Sequence, residues 1–243
     1  MSGVSGQVRR LGILVVHNDP VPEAEIWRAA PPGVEIVTGR FALRRAPGEE
    51  YLGESVEDLL SEGVRRTLAD LSDAGADALA LCFVSVSVFG GSAFDTGFAE
   101  AVKAATGVPA FTAGEALRQR LSALSASDPL LIAPPWFTDR TVAGTAAYLG
   151  LPPDIRTHRY DLGPAWDTGT RQDLFDRGAK GHIPHTALRD QILAATTPTT
   201  DAILIPGSGF RTLDAAAEVE RKLGVPVVSA NSAVLGRGLE VAS

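Results

Sequence analysis

DALALCFVSVSVFGGSAFD, residues 77 to 95, runs from an unbroken apolar segment into a turn bearing serines and glycines and then toward a helix near Phe94. A short strand that is apolar at every position belongs in a parallel sheet covered on both faces. DAILIPGSGFRTLD, residues 201 to 214, has the same order of strand, small-residue turn and helix start. Ligands of open parallel sheets sit beyond the carboxyl ends of the strands. The pair therefore predicts one site assembled from two related halves, with Phe83 and Gly207 converging on it.

Outward from these two stretches, strands and helices alternate. Leu11 to Val16 and Val34 to Val37 read as strands, and Ser55 to Leu71 carries apolar residues at helical spacing (Val56, Leu59, Leu60, Val64, Leu68, Leu71). A strand after Gly107 and a helix from about Gly114 to Leu124 close the first half. The second half restarts with a strand at 130–133 and a helix near 138–149. A strand near 155–160, a helix at 185–195, a strand at 202–206, a helix at 212–223, a strand at 225–229 and a final helix complete it. The expected fold class is α/β with two pseudo-symmetric halves, each a parallel sheet flanked by helices, with the site in the cleft between them. The halves are placed at 1–125 and 126–243, the last helix of the first being a candidate to cross over.

An internal repeat supports the division. AVKAATGVPAFTAGEAL (101–117) lies on EVERKLGVPVVSANSAV (218–234) without gaps, pairing Gly107-Val108-Pro109 with Gly224-Val225-Pro226 and Thr112 with Ser229. Asp77-Ala78 pairs with Asp201-Ala202 in the same order.

Composition narrows the function. The chain has 243 residues, 45% of them hydrophobic, with 29 acidic against 22 basic side chains and a net charge of -7. With no long basic run and 6% aromatics, nucleic acid is a poor partner. The opening MSGVSGQVRR lacks an apolar core of signal-peptide length, and the run Ala78 to Phe89 is too short to span a bilayer, so a soluble, cytoplasmic protein without a membrane partner is expected. The single cysteine, Cys82, excludes an intrachain disulfide, and the four histidines lack metal-ligand spacing. Neither a metal nor an organic cofactor is expected, the partner is a small carboxylate, and a homo-oligomer is possible.

SVSVFGGSAFD with ATGVP in the first half, and TLDAAAEVERKLGVPVVS in the second, resemble the aspartate/glutamate racemase superfamily, within it the arylmalonate decarboxylase and maleate isomerase branch. The resemblance runs from RLGILVV to the final helix. It implies a cofactor-independent enzyme that holds a small carboxylate in a nest of turn amides and hydroxyls while an enediolate forms, with a cysteine at one or both of two equivalent turns.

The departures from that pattern are specific. The two cysteine positions fall on Phe83 and Gly207, so neither expected sulfur is present. Cys82 stands one residue early, where strand geometry turns its side chain to the opposite face, unless a bulge re-aims it. Val84 replaces the threonine usual in the decarboxylase turn, and Trp136 replaces a tyrosine, removing two hydroxyl donors whose loss costs on the order of 3 kcal/mol each where charge develops. Ser85 and Ser87 keep hydroxyls in the first turn, Gly90 and Gly91 allow close backbone approach, and Gly207, Ser208 and Gly209 offer amides before a second helix.

Replacement chemistry falls to other groups. His17 in VVHNDPVP is the foremost proton-transfer candidate, with Asn18 and Asp19 beside it placed to orient it or bind substrate; turn formation explains the same residues without function. His182 and His185 follow an insertion at about 163–180 that reads as a lid or as an idle loop. Asn231 and Thr112 sit at matching strand ends, where helix capping accounts for both. Three functions stay open: a lyase or isomerase resembling arylmalonate decarboxylase with a non-cysteine proton donor, a maleate isomerase or racemase-like enzyme using Cys82, and a binding module or altered enzyme whose pocket is enlarged and apolar around Phe83, Val84 and Trp136.

Overall fold

Apolar runs become two four-stranded sheets in the computed structural model, which describes residues 9–242. The opening stretch 1–8, read above for its missing signal-peptide core, lies outside the described residues. In the first half β1 (Arg9–Val16), β2 (Val34–Phe41), β3 (Ala78–Leu81) and β4 (Ala110–Thr112) pair in the order β2-β1-β3-β4, all parallel. In the second, β5 (Pro129–Ala133), β6 (Thr157–Arg159), β7 (Ala202–Ile205) and β8 (Val227–Ser229) pair as β6-β5-β7-β8, also all parallel. The two orders are the same once the halves are superposed, strand for strand.

Helices complete each half: α1 (Val21–Ala29), α2 (Val56–Leu59), α3 (Glu62–Asp73), α4 (Val84–Thr106) and α5 (Ala113–Leu124) in the first. The second has α6 (Asp139–Tyr148), α7 (Arg171–Asp176), α8 (His185–Ala195), α9 (Leu213–Leu223) and α10 (Ala230–Val241). Among the described residues no helix is long and apolar enough to cross a membrane.

The repeated residues do repeated work. Gly107 and Gly224 end α4 and α9 in the left-handed conformation (φ 75° and 70°), and each donates its amide to the helix at 2.8 Å. Thr112 and Ser229 then cap α5 and α10, accepting the amides of Glu115 and Ser232 at 3.0 and 3.1 Å. Asp77 accepts the Arg10 amide at the start of β1, and Asp201 accepts the Ser127 and Asp128 amides at the start of β5.

Alternation along the strands sends side chains to two cores. Leu79 and Leu81 join Leu14, Val16 and Phe98 on one face, while Ala78, Ala80 and Cys82 join Ile13, Val15 and Phe111 on the other. No bulge re-aims Cys82, which is 1% exposed with its sulfur against the Ala80 carbonyl.

Three expectations are corrected. The helix expected over Ser55 to Leu71 is two helices, because Leu60 leaves helical geometry and Ser61 is extended ahead of α3; apolar periodicity continues through the break and does not reveal it. The turn expected between β3 and Phe94 is already helix: α4 begins at Val84 and is interrupted at Gly91 (φ 65°). Alternating Val and Ser has poor helix propensity, yet burying Val84, Val86 and Ser87 overrides it. Ser87 is held by Asp95, whose carboxylate also takes the Thr112 and Tyr148 hydroxyls, tying α4, β4 and α6 together. Finally, Asn231 does not cap α10, since Ser229 does; its amide instead donates to Glu25 at 2.9 Å and to the Ser208 carbonyl at 3.0 Å.

Candidate active site

The carboxyl ends of β3 and β7 open onto one cleft enclosing about 550 Å³, open solvent at its mouth included. Phe83, Val84 and Ser85 form one wall at the start of α4, where the first amides of the helix have no intrahelical acceptor. Gly207, Ser208 and Gly209 form the opposing wall. Asn231 holds that turn by the Ser208 carbonyl, and Glu25 holds the start of α9 by accepting the Thr212 and Leu213 amides, both at 2.6 Å. Trp136 stands between the walls, edge-on to Phe175 and Phe210.

Glycine is required at both positions of the second wall for space. A Cβ at Gly207 would lie 2.3 Å from Pro134 Cγ, and one at Gly209 would lie 2.5 Å from Asp19 Oδ2. The Asp19 carboxylate therefore occupies the space a side chain at 209 would take, and it lines the cleft.

A tight turn explains why Asp19 enters the cleft while its neighbours do not. The Asp19 amide donates to the Val16 carbonyl at 2.9 Å, which makes His17 and Asn18 the exposed corners of the turn. Asp19 is 2% exposed, and its Oδ1 accepts the Val21 amide at 3.1 Å, starting α1. Burial raises its pKa to about 6, against the pull of the Val21 amide and of the nearby Lys180 and Arg40 cations. Lys180 is itself buried, donating to the Phe175 carbonyl at 2.9 Å and lying 3.8 Å above the Phe175 ring. Burial lowers its pKa, opposed by Asp19 and Asp176.

Of the residues singled out in the sequence, Asp19, Phe83, Val84, Ser85, Trp136, Gly207, Ser208 and Gly209 meet in the cleft. His17 and Asn18 stay outside its lining, and so does Cys82, whose thiol burial pushes far above its usual pKa. His182 packs on Trp166 and His185 sits 3.7 Å from Glu218, both away from the cleft.

Residues the sequence did not mark complete the lining: Leu43, Arg45 and Tyr51 from the loop after β2, Phe137 and Thr141 around the start of α6, and Gln172 and Phe175 from α7. The insertion thus reaches the cleft through α7 rather than through its histidines. Gln172 donates to the Trp136 carbonyl at 3.1 Å and Arg171 to that of Pro135 at 3.2 Å. The loop after β2 is fastened to the other half near its middle, by Arg45 and Gly48 on Asp176 and by Thr138 on Glu50.

Two opposed small-residue turns at equivalent strand ends, in duplicated halves, frame the cleft. Arylmalonate decarboxylase of Bordetella bronchiseptica is 32% identical over 204 residues, covering 83% of this chain and 78% of its own. The chain belongs to the arylmalonate decarboxylase family. The model of that family matches residues 42–142, from the loop after β2 to α6. A crystal structure of arylmalonate decarboxylase superposes with a TM-score of 0.71 at 27% identity, covering 96% of this chain and 92% of that one. The maleate isomerase Iso from Pseudomonas putida S16 shares the fold at the same TM-score and coverage with 20% identity. Membership of the arylmalonate decarboxylase family makes this chain a decarboxylase-like enzyme.

Proposed function

We propose that the protein is a cofactor-independent decarboxylase or isomerase of a small carboxylic acid, in which Asp19 handles the proton that a cysteine handles in relatives. The observation that carries this reading is the buried Asp19 carboxyl in the cleft wall against Gly209, with a pKa near 6. A general acid or base is most effective when its pKa lies close to the working pH.

In the decarboxylation, the carboxylate that stays on the substrate lies against the Val84 and Ser85 amides and the Ser85 hydroxyl, with the Ser208 turn opposite. The bond to the other carboxylate breaks and CO2 leaves. The electron pair moves into the remaining carboxylate to give an enediolate, which the amides stabilise. Protonated Asp19 delivers its proton to the α-carbon, and the resulting carboxylate regains a proton from solvent. Phe83, Trp136, Tyr51 and Phe175 line the cleft with aromatic surface, which suits a substrate with an apolar or aromatic substituent.

Turnover of arylmalonates and maleate in deuterium oxide tests the reading. Asp19→Asn is expected to lower kcat by roughly a hundredfold or more, with deuterium still entering the α-carbon in the unaltered protein, whereas Cys82→Ser retains its rate. Loss of activity in Cys82→Ser, full activity in Asp19→Asn, or an unaltered protein inert toward both substrate classes would refute it.

A further inference from the structure

The second wall of the cleft contains a peptide that its own turn leaves free to face either way. Phe210 donates its amide to the Gly207 carbonyl at 3.0 Å, closing a β-turn whose central peptide joins Ser208 to Gly209. Turns of types I and II differ by turning that central peptide over, and type II needs a positive φ at the third residue, which glycine adopts at no steric cost. The third residue here is Gly209, a glycine because Asp19 takes the space of a side chain. Its φ is not positive, so the turn is not type II. Glycine permits either orientation, and a contact from outside the turn selects one.

That contact comes from Asn231, whose side-chain amide donates to the Ser208 carbonyl at 3.0 Å and to Glu25 Oε2 at 2.9 Å. Glu25 is buried and accepts three more hydrogen bonds, from the Thr212 and Leu213 amides at 2.6 Å each and the Thr212 hydroxyl at 3.1 Å. All four of its partners are donors, so Asn231 presents its NH2, and not its oxygen, on the side that faces Glu25 and Ser208. Asn231 Oδ1 has no partner, which leaves these two acceptors alone to orient the side chain. A trans peptide carries its N–H on the edge opposite its carbonyl, and no cis peptide occurs among the described residues. Gly209 lines the cleft and Asn231 does not. With the Ser208 carbonyl drawn to Asn231, the Gly209 N–H lies on the opposite edge, and among the described residues it donates to no group. The reverse orientation would put a carbonyl oxygen on that edge, which repels an anion.

We infer that Glu25 is a positioning residue of the cleft: through Asn231 it keeps the Ser208 carbonyl turned away and leaves the Gly209 amide as a donor to the substrate carboxylate. This deepens the proposed function and rests on reading the cleft as a carboxylate site. Glu25 touches no substrate itself. It lies on α1, the helix that Asp19 starts by accepting the Val21 amide, so one rigid element carries both the acid and the group that sets the turn beside it.

Phenylacetate, which has no second carboxylate to lose, probes the site without reaction. In protein labelled with nitrogen-15, it is expected to move the amide resonances of Val84, Ser85 and Gly209. Glu25→Gln keeps an oxygen for the two amides that start α9 but sets an NH2 against Asn231, favouring the reversed amide that turns its oxygen to Ser208. Asn231→Ala leaves Glu25 on α9 and removes only the grip on Ser208. In each variant the Gly209 response is expected to disappear while those of Val84 and Ser85 persist, a selectivity that general loosening of the fold would not produce. Turnover of an arylmalonate is expected to lose about tenfold or more in kcat/KM in both. A Gly209 response retained in the variants, one lost together with the first-wall responses, or an unchanged kcat/KM would overturn the role of Glu25 and leave the Asp19 chemistry standing. A protein that binds phenylacetate at both walls yet turns over no arylmalonate would remove the catalytic reading instead, and the resonances would decide for Glu25. If no amide of either wall responds in the unaltered protein, the carboxylate site is refuted and this inference with it. If neither variant folds, hydrogen exchange of the Asn231 side-chain amide in the unaltered protein decides: protection is expected, and exchange as fast as in an exposed asparagine would overturn the inference.

Discussion

Asp19→Asn should make the protein more stable at neutral pH while disabling it, and the size of the effect follows from the buried carboxyl. In the folded chain its pKa stands at about 6, against an ordinary 3.8, because burial disfavours the charged form. Below pH 4 the group is protonated in folded and unfolded chains alike and contributes no difference. Between about 4 and 6 the unfolded chain releases its proton before the folded one, so stability falls as pH rises through this window. A displacement of roughly two pH units at about 1.4 kcal/mol each makes the loss about 3 kcal/mol by pH 7. Asparagine keeps the shape and the acceptor for the Val21 amide but has no charge to bury. Urea unfolding of both proteins from pH 3.5 to 8, followed by tryptophan fluorescence, should give a stability difference that is flat at low pH and grows in favour of Asn through pH 4–6. It should level off near 3 kcal/mol. A difference independent of pH, or one favouring the parent protein increasingly as pH rises, would show that Asp19 is not a buried acid of raised pKa.

Further outcomes follow from neighbouring groups. If protonated Asp19 is the donor, kcat/KM falls as pH rises above about 6; Lys180→Met removes a cation that favours the Asp19 carboxylate, so this limb should move to higher pH in a rate profile, and an unmoved limb would contradict the assignment. Introducing a thiol with Gly207→Cys places a Cβ against Pro134 and should cost about 1–3 kcal/mol by overpacking, read as a lowered Tm, without rescuing Asp19→Asn. Asp95→Asn turns an acceptor of three hydroxyls into a partial donor and should destabilise the fold by roughly 2–3 kcal/mol, measured by urea unfolding. Cys82, buried with a raised pKa, should react with iodoacetamide only at the rate of unfolding; rapid labelling of native protein would place the thiol elsewhere.

The amino-acid sequence by itself determined the alternation of strand and helix, the duplication, and the absence of cysteine from both turns. These are matters of period and identity along the chain. Asp77 and Asp201, Gly107 and Gly224, Thr112 and Ser229 could be paired as letters because each pair performs the same local task within a few residues of backbone. The opposite facing of Cys82 and Phe83 was legible for the same reason, since a strand has period two. Tertiary structure alone decided which side chains meet. In VVHNDPVP the histidine has the more suggestive chemistry, but one hydrogen bond from Asp19 to Val16 turns His17 and Asn18 to solvent and Asp19 inward. Arg45 belongs to a loop, and Gln172 and Phe175 to the six-residue α7, too short to show periodicity; they reach the cleft because Asp176 fastens the loop after β2 and the Trp136 carbonyl fastens α7. Hydrogen bonds between residues remote in sequence leave no trace in local composition, so this part of the cleft lining becomes visible only when the two halves pack together.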